Sequence, residues 1–325
     1  VVERYFIVGS RVVLQGKLRR EDSSLTLTAR IGGESIARLA ARRGSGLAEV
    51  EIARHPLADA AAVAEAAQLF VRLVVKLWAG RFSVIAVDPG DAPQQELDNA
   101  LRDDGFARVS AEYVLAADAT DFARTDKVNE GDMDGIYADP LSVPWNYVPV
   151  TTDLLEKAIA TTSRGARILD LGCGYGKNLQ LLLRSGRAAI GLDVSRAAVE
   201  RAREVLGNRT TIVVGSATEL PWRAGHFDAI VDAGCIHCLT TSERVIAVRE
   251  AARVLASSGV LYSAVLPPRD SRWLARQPFA ASTFGVPADA VAQLLRRTFR
   301  VVEVDARPHI TNAVARRPYE SRSTK

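Results

Sequence analysis

From residue 151 onward, short apolar runs bounded by polar turns alternate with stretches whose hydrophobic residues recur at helical spacing. The alternation predicts a helix over 151–161, a strand over 166–171, a helix over 177–183 and a strand over 188–193. Further strands are expected at 211–214, from 227 into a polar loop, and at 260–266, with a helix over 288–297 after a loop at 282–287. Runs 299–304 and 311–316 then follow each other with no helix between them. Alternating strands and helices predict a doubly wound α/β sheet, and the last two runs predict an antiparallel pair at its end.

The first 125 residues read differently. Strand-like runs at 25–31, 34–40 and 46–52 precede a helix over 59–78, where Val63, Ala67, Phe70, Val74 and Leu77 define a buried stripe. A strand at 82–87, a helix at 93–103, a Gly105-Phe106 turn and a strand at 107–115 complete this half. The chain therefore divides into domains at 1–125 and 151–325, with 126–150 as a linker or lid. Its 325 residues, 48% hydrophobic and 25% charged, are comfortable for two globular domains. The longest apolar stretch, 66–78, is interrupted by Arg72 and Lys76 and is too short to span a bilayer, so no membrane role is expected. Three cysteines and no apolar leader predict a reducing, cytoplasmic setting.

The richest chemistry lies where the first strand of the second half ends, at Asp170-Leu171-Gly172-Cys173-Gly174-Tyr175-Gly176. Glycines let a chain turn tightly and bring backbone N–H groups against a ligand at the opening of a helix. The next strand ends in Asp193, 17 residues beyond Gly176, where a carboxylate can accept both ribose hydroxyls of a nucleoside. Nicotinamide-binding loops space their glycines Gly-x-Gly-x-x-Gly around a pyrophosphate. Here an acid leads the glycines, repels phosphate and suits a cationic head group. The run and its second acid resemble motifs I and II of the class I S-adenosylmethionine-dependent methyltransferases. The resemblance implies that Asp170, Gly172, Cys173, Gly174 and Gly176 line the methionine end of S-adenosyl-L-methionine, and that Asp193 grips its ribose.

Two later segments extend the resemblance. Gly215-Ser216-Ala217-Thr218-Glu219-Leu220-Pro221-Trp222 is similar to the family's segment at the adenine, which places Ser216 and Ala217 beside the base. The family has an acid where Ser216 stands, and a charged acceptor forms roughly twice as strong a hydrogen bond as a hydroxyl. The run from Phe227 to Leu239 is similar to the family's motif IV. Within it His237 has two open readings, a general base or substrate orienter on one hand and a shaper of the floor on the other; Asp232 is a second acid–base candidate. Cys235 and Cys238 form a Cys-x-x-Cys, yet only Cys173 accompanies them, so no metal site is expected.

Upstream, Tyr137 and then Pro144-Trp145-Asn146-Tyr147-Val148-Pro149 resemble the lid of thiopurine and tellurite-resistance methyltransferases. Tyr137, Trp145 and Tyr147 are therefore expected over the reacting sulfonium, where aromatic rings exclude water and attract a cation; an interdomain linker plugged by Trp145 is the other reading. The order of elements in 1–125 resembles the GNAT acyltransferase fold. That family needs a glycine-containing loop for coenzyme A, whereas Arg54-His55-Pro56-Leu57-Ala58-Asp59 has no glycine and ends in an acid. The first domain thus reads as noncatalytic, serving dimerisation, partner docking or walling of the site.

Charge is unevenly placed. From Leu266 to Lys325, ten arginines and one lysine face five acids, although the net formal charge of the whole chain is only +4. Such a patch suits an anionic small molecule, free or on an acidic carrier protein, or is simply a solvated face. Nucleic acid is not expected, because no basic stripe interleaved with aromatics is visible. The arginine-rich, lysine-poor composition points to a GC-rich bacterial genome. Together these readings predict S-adenosylmethionine-dependent methyl transfer to a small molecule in bacterial natural-product biosynthesis. The alternative is a cyclisation or elimination on the same fold without cofactor turnover, run by His237, Asp232 and nearby tyrosines.

Overall fold

The computed structural model describes residues 2–19, 23–43, 46–78, 82–89, 94–104, 107–109, 112–116, 133–141, 143–147, 152–267 and 285–317. The chain forms two compact units, one from residues 1–127 and 139–150, the other from 128–138 and 151–325. The segment read from sequence as one linker is thus shared out, 128–138 going to the second unit and 139–150 to the first. The Gly105-Phe106 turn lies outside the described residues, as do 268–284 and 318–325 of the arginine-rich run.

The first unit is a sheet of eight strands in the order β1-β2-β3-β4-β5-β6-β8-β7. These are β1 (Val2–Val8), β2 (Val13–Arg19), β3 (Ser24–Ile31), β4 (Glu34–Arg43), β5 (Gly46–Arg54), β6 (Phe82–Asp88), β7 (Ala107–Val109) and β8 (Glu112–Ala116). All neighbours are antiparallel except β5 and β6. That parallel pair needs a crossover, supplied by α1 (Ala60–Trp78); α2 (Gln94–Asp103) follows β6. Helix α1 starts where the Asp59 carboxylate accepts the Ala62 N–H at 2.9 Å. Its Val63, Phe70, Leu73 and Val74 are fully buried, each contributing about 1.5–3 kcal/mol.

Three departures from the sequence reading have physical causes. Strand β1 went unread because Tyr5, Phe6, Ile7 and Val8 are all buried and give no alternation. Strand β2 is interrupted by Gly16, where a Cβ would lie 2.0 Å from the Thr26 carbonyl oxygen, a sign of close backbone approach. The single strand expected at 107–115 is a hairpin of β7 and β8.

A buried ion pair joins α1 to the end of α2. The Arg72 Nε lies 3.1 Å from both carboxylate oxygens of Asp104, and Nη1 donates to the Leu141 carbonyl at 3.0 Å. The Asp104 side chain is wholly buried. Removing the guanidinium strands a buried charge, so Arg72→Ala is expected to cost about 3–5 kcal/mol of unfolding free energy in urea titration. A loss under 1 kcal/mol would show the pair to be dispensable.

The second unit carries a seven-stranded sheet in the order β11-β10-β9-β12-β13-β15-β14. Its strands are β9 (Arg167–Leu171), β10 (Ala188–Asp193), β11 (Ile212–Val214), β12 (Phe227–Ala233), β13 (Leu255–Val265), β14 (Val301–Arg307) and β15 (Ile310–Arg316). The first five are parallel, and β14 and β15 form the antiparallel pair expected at the end. The helices are α3 (Met133–Tyr137), α4 (Thr152–Thr161), α5 (Lys177–Arg184), α6 (Arg196–Leu206), α7 (Thr241–Val254) and α8 (Ala288–Arg296). The chain winds outward from β9 to β11 and then returns to β12, so the topology reverses between β9 and β12. In an open parallel sheet the crevice beyond the strand ends at that reversal is where ligands bind. Asp170 pairs in register with Val231, and Leu171 with Asp232, which brings both acids to the reversal. No described helix is long and apolar enough to cross a membrane.

Candidate active site

Gly172, Gly174 and Gly176 have φ of 72°, 51° and 79°, the left-handed region that favours glycine. Two of them also make room. A Cβ on Gly172 would lie 2.5 Å from Cys235 Cβ, and one on Gly174 would lie 2.8 Å from the Tyr137 hydroxyl. Sequence reasoning expected the loop's N–H groups to face a ligand. The structure commits three of them elsewhere: Gly172 and Cys173 donate to the Leu192 carbonyl at 2.8 and 3.0 Å, and Gly174 donates to Asp193 Oδ2 at 2.8 Å. These glycines supply space and curvature.

Asp170 is fully buried; its Oδ1 receives a long bond, 3.5 Å, from Asn178 Nδ2, the Leu179 N–H also donates to the carboxylate, and its Oδ2 has no partner. Burial pushes its carboxyl up to about 7, against the pull of Asn178, and the nearby charges of Asp193 and Asp232 push in the same direction. An orphaned buried carboxylate oxygen is costly unless a donor meets it. Asp193, also buried, accepts from Ser195 N–H on Oδ1 at 2.9 Å and from Gly174 N–H on Oδ2 at 2.8 Å. Burial raises its pKa while these backbone donors oppose the rise. A carboxylate has about four lone-pair sites, so each oxygen keeps capacity for a hydroxyl donor.

Tyr137 lies at the glycine loop, its hydroxyl beside Gly174. Its ring meets Tyr175 edge to face with centroids 5.0 Å apart, and the Tyr175 hydroxyl donates to the Tyr137 carbonyl at 2.8 Å. What sequence reasoning missed is how α3 is held. Asp134 Oδ1 accepts from Ser195 Oγ at 2.7 Å and from Ala197 N–H at 3.1 Å, at the start of α6, and these donors lower its pKa. Ser195 in turn caps α6 through Ala198 N–H. A serine immediately before a helix was a legible capping signal; its distant partner was not. Val194, beside the second acid, was also passed over, although it is 56% exposed.

The remaining expected residues divide. Asp232 is buried with both oxygens engaged: Oδ1 accepts from Cys235 N–H at 2.8 Å and Ile236 N–H at 3.1 Å, and Oδ2 from Ser263 Oγ at 2.5 Å. It thereby holds the turn that follows β12. His237 Nδ1 accepts the Leu266 N–H at 3.3 Å, which assigns the ring proton to Nε2. Nδ1 is therefore engaged as an acceptor, and Nε2 is the ring's donor atom. Burial pushes up the thiols of Cys173, Cys235 and Cys238, the last to about 12; although Cys238 is exposed as a residue, its thiol is turned onto the Gly234 carbonyl. Among the described residues no three His, Cys, Asp or Glu side chains converge as metal ligands would. Ser216 Oγ is 2.7 Å from Thr218 Oγ1 and accepts the Thr218 N–H at 3.1 Å; Ala217 beside it is buried.

Trp145 and Tyr147 belong to the first unit, not to the lid that sequence suggested. Tyr147 is packed into that unit's core and donates to the Leu141 carbonyl at 2.8 Å, while Asn146 ties the same turn to Val8 through both its amide atoms. These hydrogen bonds and the apolar packing hold residues 143–147 within their own unit. Within the second unit, the Tyr137 hydroxyl meets the glycine loop at Gly174.

Comparison with known proteins agrees with this geometry. Residues 168–259 match the family model described as "Methyltransferase domain". That segment, which carries the glycine loop and both Asp170 and Asp193, is thus similar to a methyltransferase domain. The chain is similar to the "Probable tRNA methyltransferase 9B" of Mus musculus, 39% identical over 129 residues that cover 37% of this chain and 28% of that protein. It is also similar to the "Malonyl-[acyl-carrier protein] O-methyltransferase" of Geobacter sulfurreducens, 34% identical over 168 residues, 46% of this chain and 62% of that protein. The chain thus spans less than two thirds of either relative. Among solved structures, the chain is similar to the 1,6-didemethyltoxoflavin-N1-methyltransferase of Burkholderia thailandensis, with a TM-score of 0.44 at 20% identity, covering 58% of this chain and 87% of that one.

Proposed function

We propose that this chain transfers the methyl group of S-adenosyl-L-methionine to a small molecule in bacterial natural-product biosynthesis, the acceptor being anionic or held on an acidic carrier protein. The observation that carries the reading is Asp170 Oδ2, buried without a hydrogen-bond partner at the topological reversal and beside two further buried acids. An ammonium fits that demand, and a phosphate does not. Asp170 would hold the amino acid end, Asp193 the ribose hydroxyls, and Ser216 with Ala217 the base. The cofactor, when bound, supplies a methyl group already activated on sulfur.

The chain's own task is then alignment and exclusion of water. Tyr137 and Tyr175 cover the glycine loop, and His237 acts as an orienter through Nε2–H. The cyclase or lyase alternative draws less support, because Asp232 has its oxygens engaged and Nδ1 of His237 is occupied. The basic excess after residue 266 supports an anionic or carrier-held acceptor, as does the name of the Geobacter relative; the mouse relative's name points instead to tRNA, which the sequence supports poorly. The first unit reads as a noncatalytic GNAT-like domain that dimerises or docks a partner, supported by its one parallel strand pair bridged by α1.

Isothermal titration with S-adenosylhomocysteine tests the central reading. Saturable one-to-one binding is expected, tightening as pH rises through about 7, where Asp170 sheds its proton. No heat from well-folded protein would end it.

A further inference from the structure

Strands β9, β10 and β11 lie side by side, Asp170 near the end of the first, Asp193 ending the second, and Ser216 two residues beyond the third. Neighbouring strands are about 4.8 Å apart. A nucleoside with its amino acid end at Asp170 and its ribose at Asp193 therefore carries its base toward the end of β11. The turn there is held close, because Gly215 N–H donates to the Asp193 carbonyl at 2.9 Å. Exposed Val194 adds an aliphatic surface on the same side.

The polar group at that end is a pair of hydroxyls. Ser216 Oγ accepts the Thr218 N–H and lies 2.7 Å from Thr218 Oγ1, and either hydroxyl can be the donor. A hydroxyl has one proton and two lone pairs. When Ser216 donates to Thr218, one Ser216 lone pair is taken by the backbone N–H and the other is open to a ligand donor. When Thr218 donates instead, both Ser216 lone pairs are filled and its own proton turns outward to a ligand acceptor. Rotating the two O–H bonds so that donor and acceptor exchange roles thus converts the same spot from acceptor to donor. A carboxylate at this place would only accept.

We propose that the Ser216–Thr218 pair makes the base end of the site indifferent to whether the purine 6-position offers a donor amino group or an acceptor oxygen. The inference rests on the cofactor reading given above and specifies what that site selects. Ser216 is the specificity determinant, and purine nucleosides altered at the 6-position are the ligand class that the site would admit.

The test compares S-adenosylhomocysteine with its analogue carrying 6-methoxypurine, which keeps the ring nitrogens of adenine as acceptors and changes only the 6-position. Titration of the intact protein is expected to give dissociation constants within about fivefold of each other, and Ser216→Asp to favour the adenine ligand by about tenfold or more, since a site with fixed polarity rejects a mismatched partner. Ser216→Ala is expected to weaken both ligands to the same degree. If the wild-type protein binds the adenine ligand but rejects the methoxy ligand by tenfold or more, the indifference is refuted while the cofactor reading stands. If neither ligand binds, the cofactor reading itself fails. The wild-type comparison decides even if a substitution impairs folding.

Discussion

Asp170→Asn is expected to weaken S-adenosylhomocysteine binding by about 10- to 100-fold while making the free protein more stable at pH 8. Affinity falls because a hydrogen bond to a charged acceptor is worth about 1.5–3 kcal/mol. Stability rises because the folded state raises this carboxyl from 3.8 to about 7. Between those values the folded chain keeps a proton that the unfolded chain has released, so stability declines as pH climbs from about 4 to about 7. Above that window the shift corresponds to a penalty on the order of 4 kcal/mol, which the amide removes. Urea unfolding should therefore give matching wild-type and variant midpoints near pH 4, with the variant ahead at pH 8. The pH dependence of affinity should flatten in the variant. Unchanged binding, or no stability gain at pH 8, would contradict an orphaned carboxylate at this position.

The second large effect concerns Gly174. An alanine there would be held at φ 51° with its methyl 2.8 Å from the Tyr137 hydroxyl. Left-handed strain costs about 1–2 kcal/mol and overpacking typically adds 1–3 more, so Gly174→Ala is expected to lose about 2–5 kcal/mol of stability and most ligand affinity. Tyr137→Phe removes the offending oxygen and leaves Cζ as the nearest atom, at 3.5 Å, an ordinary contact. In the double variant the loss should shrink to the backbone strain alone. A double-mutant cycle in chemical denaturation should then show coupling of about 1–3 kcal/mol. Additive losses would mean that Tyr137 does not press on the loop.

Much of the second unit was legible because its physics is local. Strand β10 was read at its observed bounds, and the left-handed glycines after Asp170 announced their turn by residue type. Long-range pairings were not legible. Nothing near Asp232 in sequence signals that Ser263 would occupy its second oxygen, and nothing near Asp134 signals Ser195. His237 could be placed on its loop but not assigned a tautomer, since that depends on Leu266. The burial of Tyr147 was not legible either, because aromatic composition says nothing about direction and this ring joins a core whose other members lie far away in the chain. Strands β1 and β2 were lost for lack of alternation and through a glycine that marks contact rather than a turn.

The crossing between units at Ala138 and Asp139 bears on how this chain can be dissected. A gene fragment begun at residue 151, where the regular alternation starts, would encode every strand of the seven-stranded sheet and both ligand-facing acids. It would nevertheless lack Asp134 and Tyr137, leaving the start of α6 without its distant clamp and the glycine loop without its cover. Completeness of a sheet is therefore a poor guide to where such a folding unit begins.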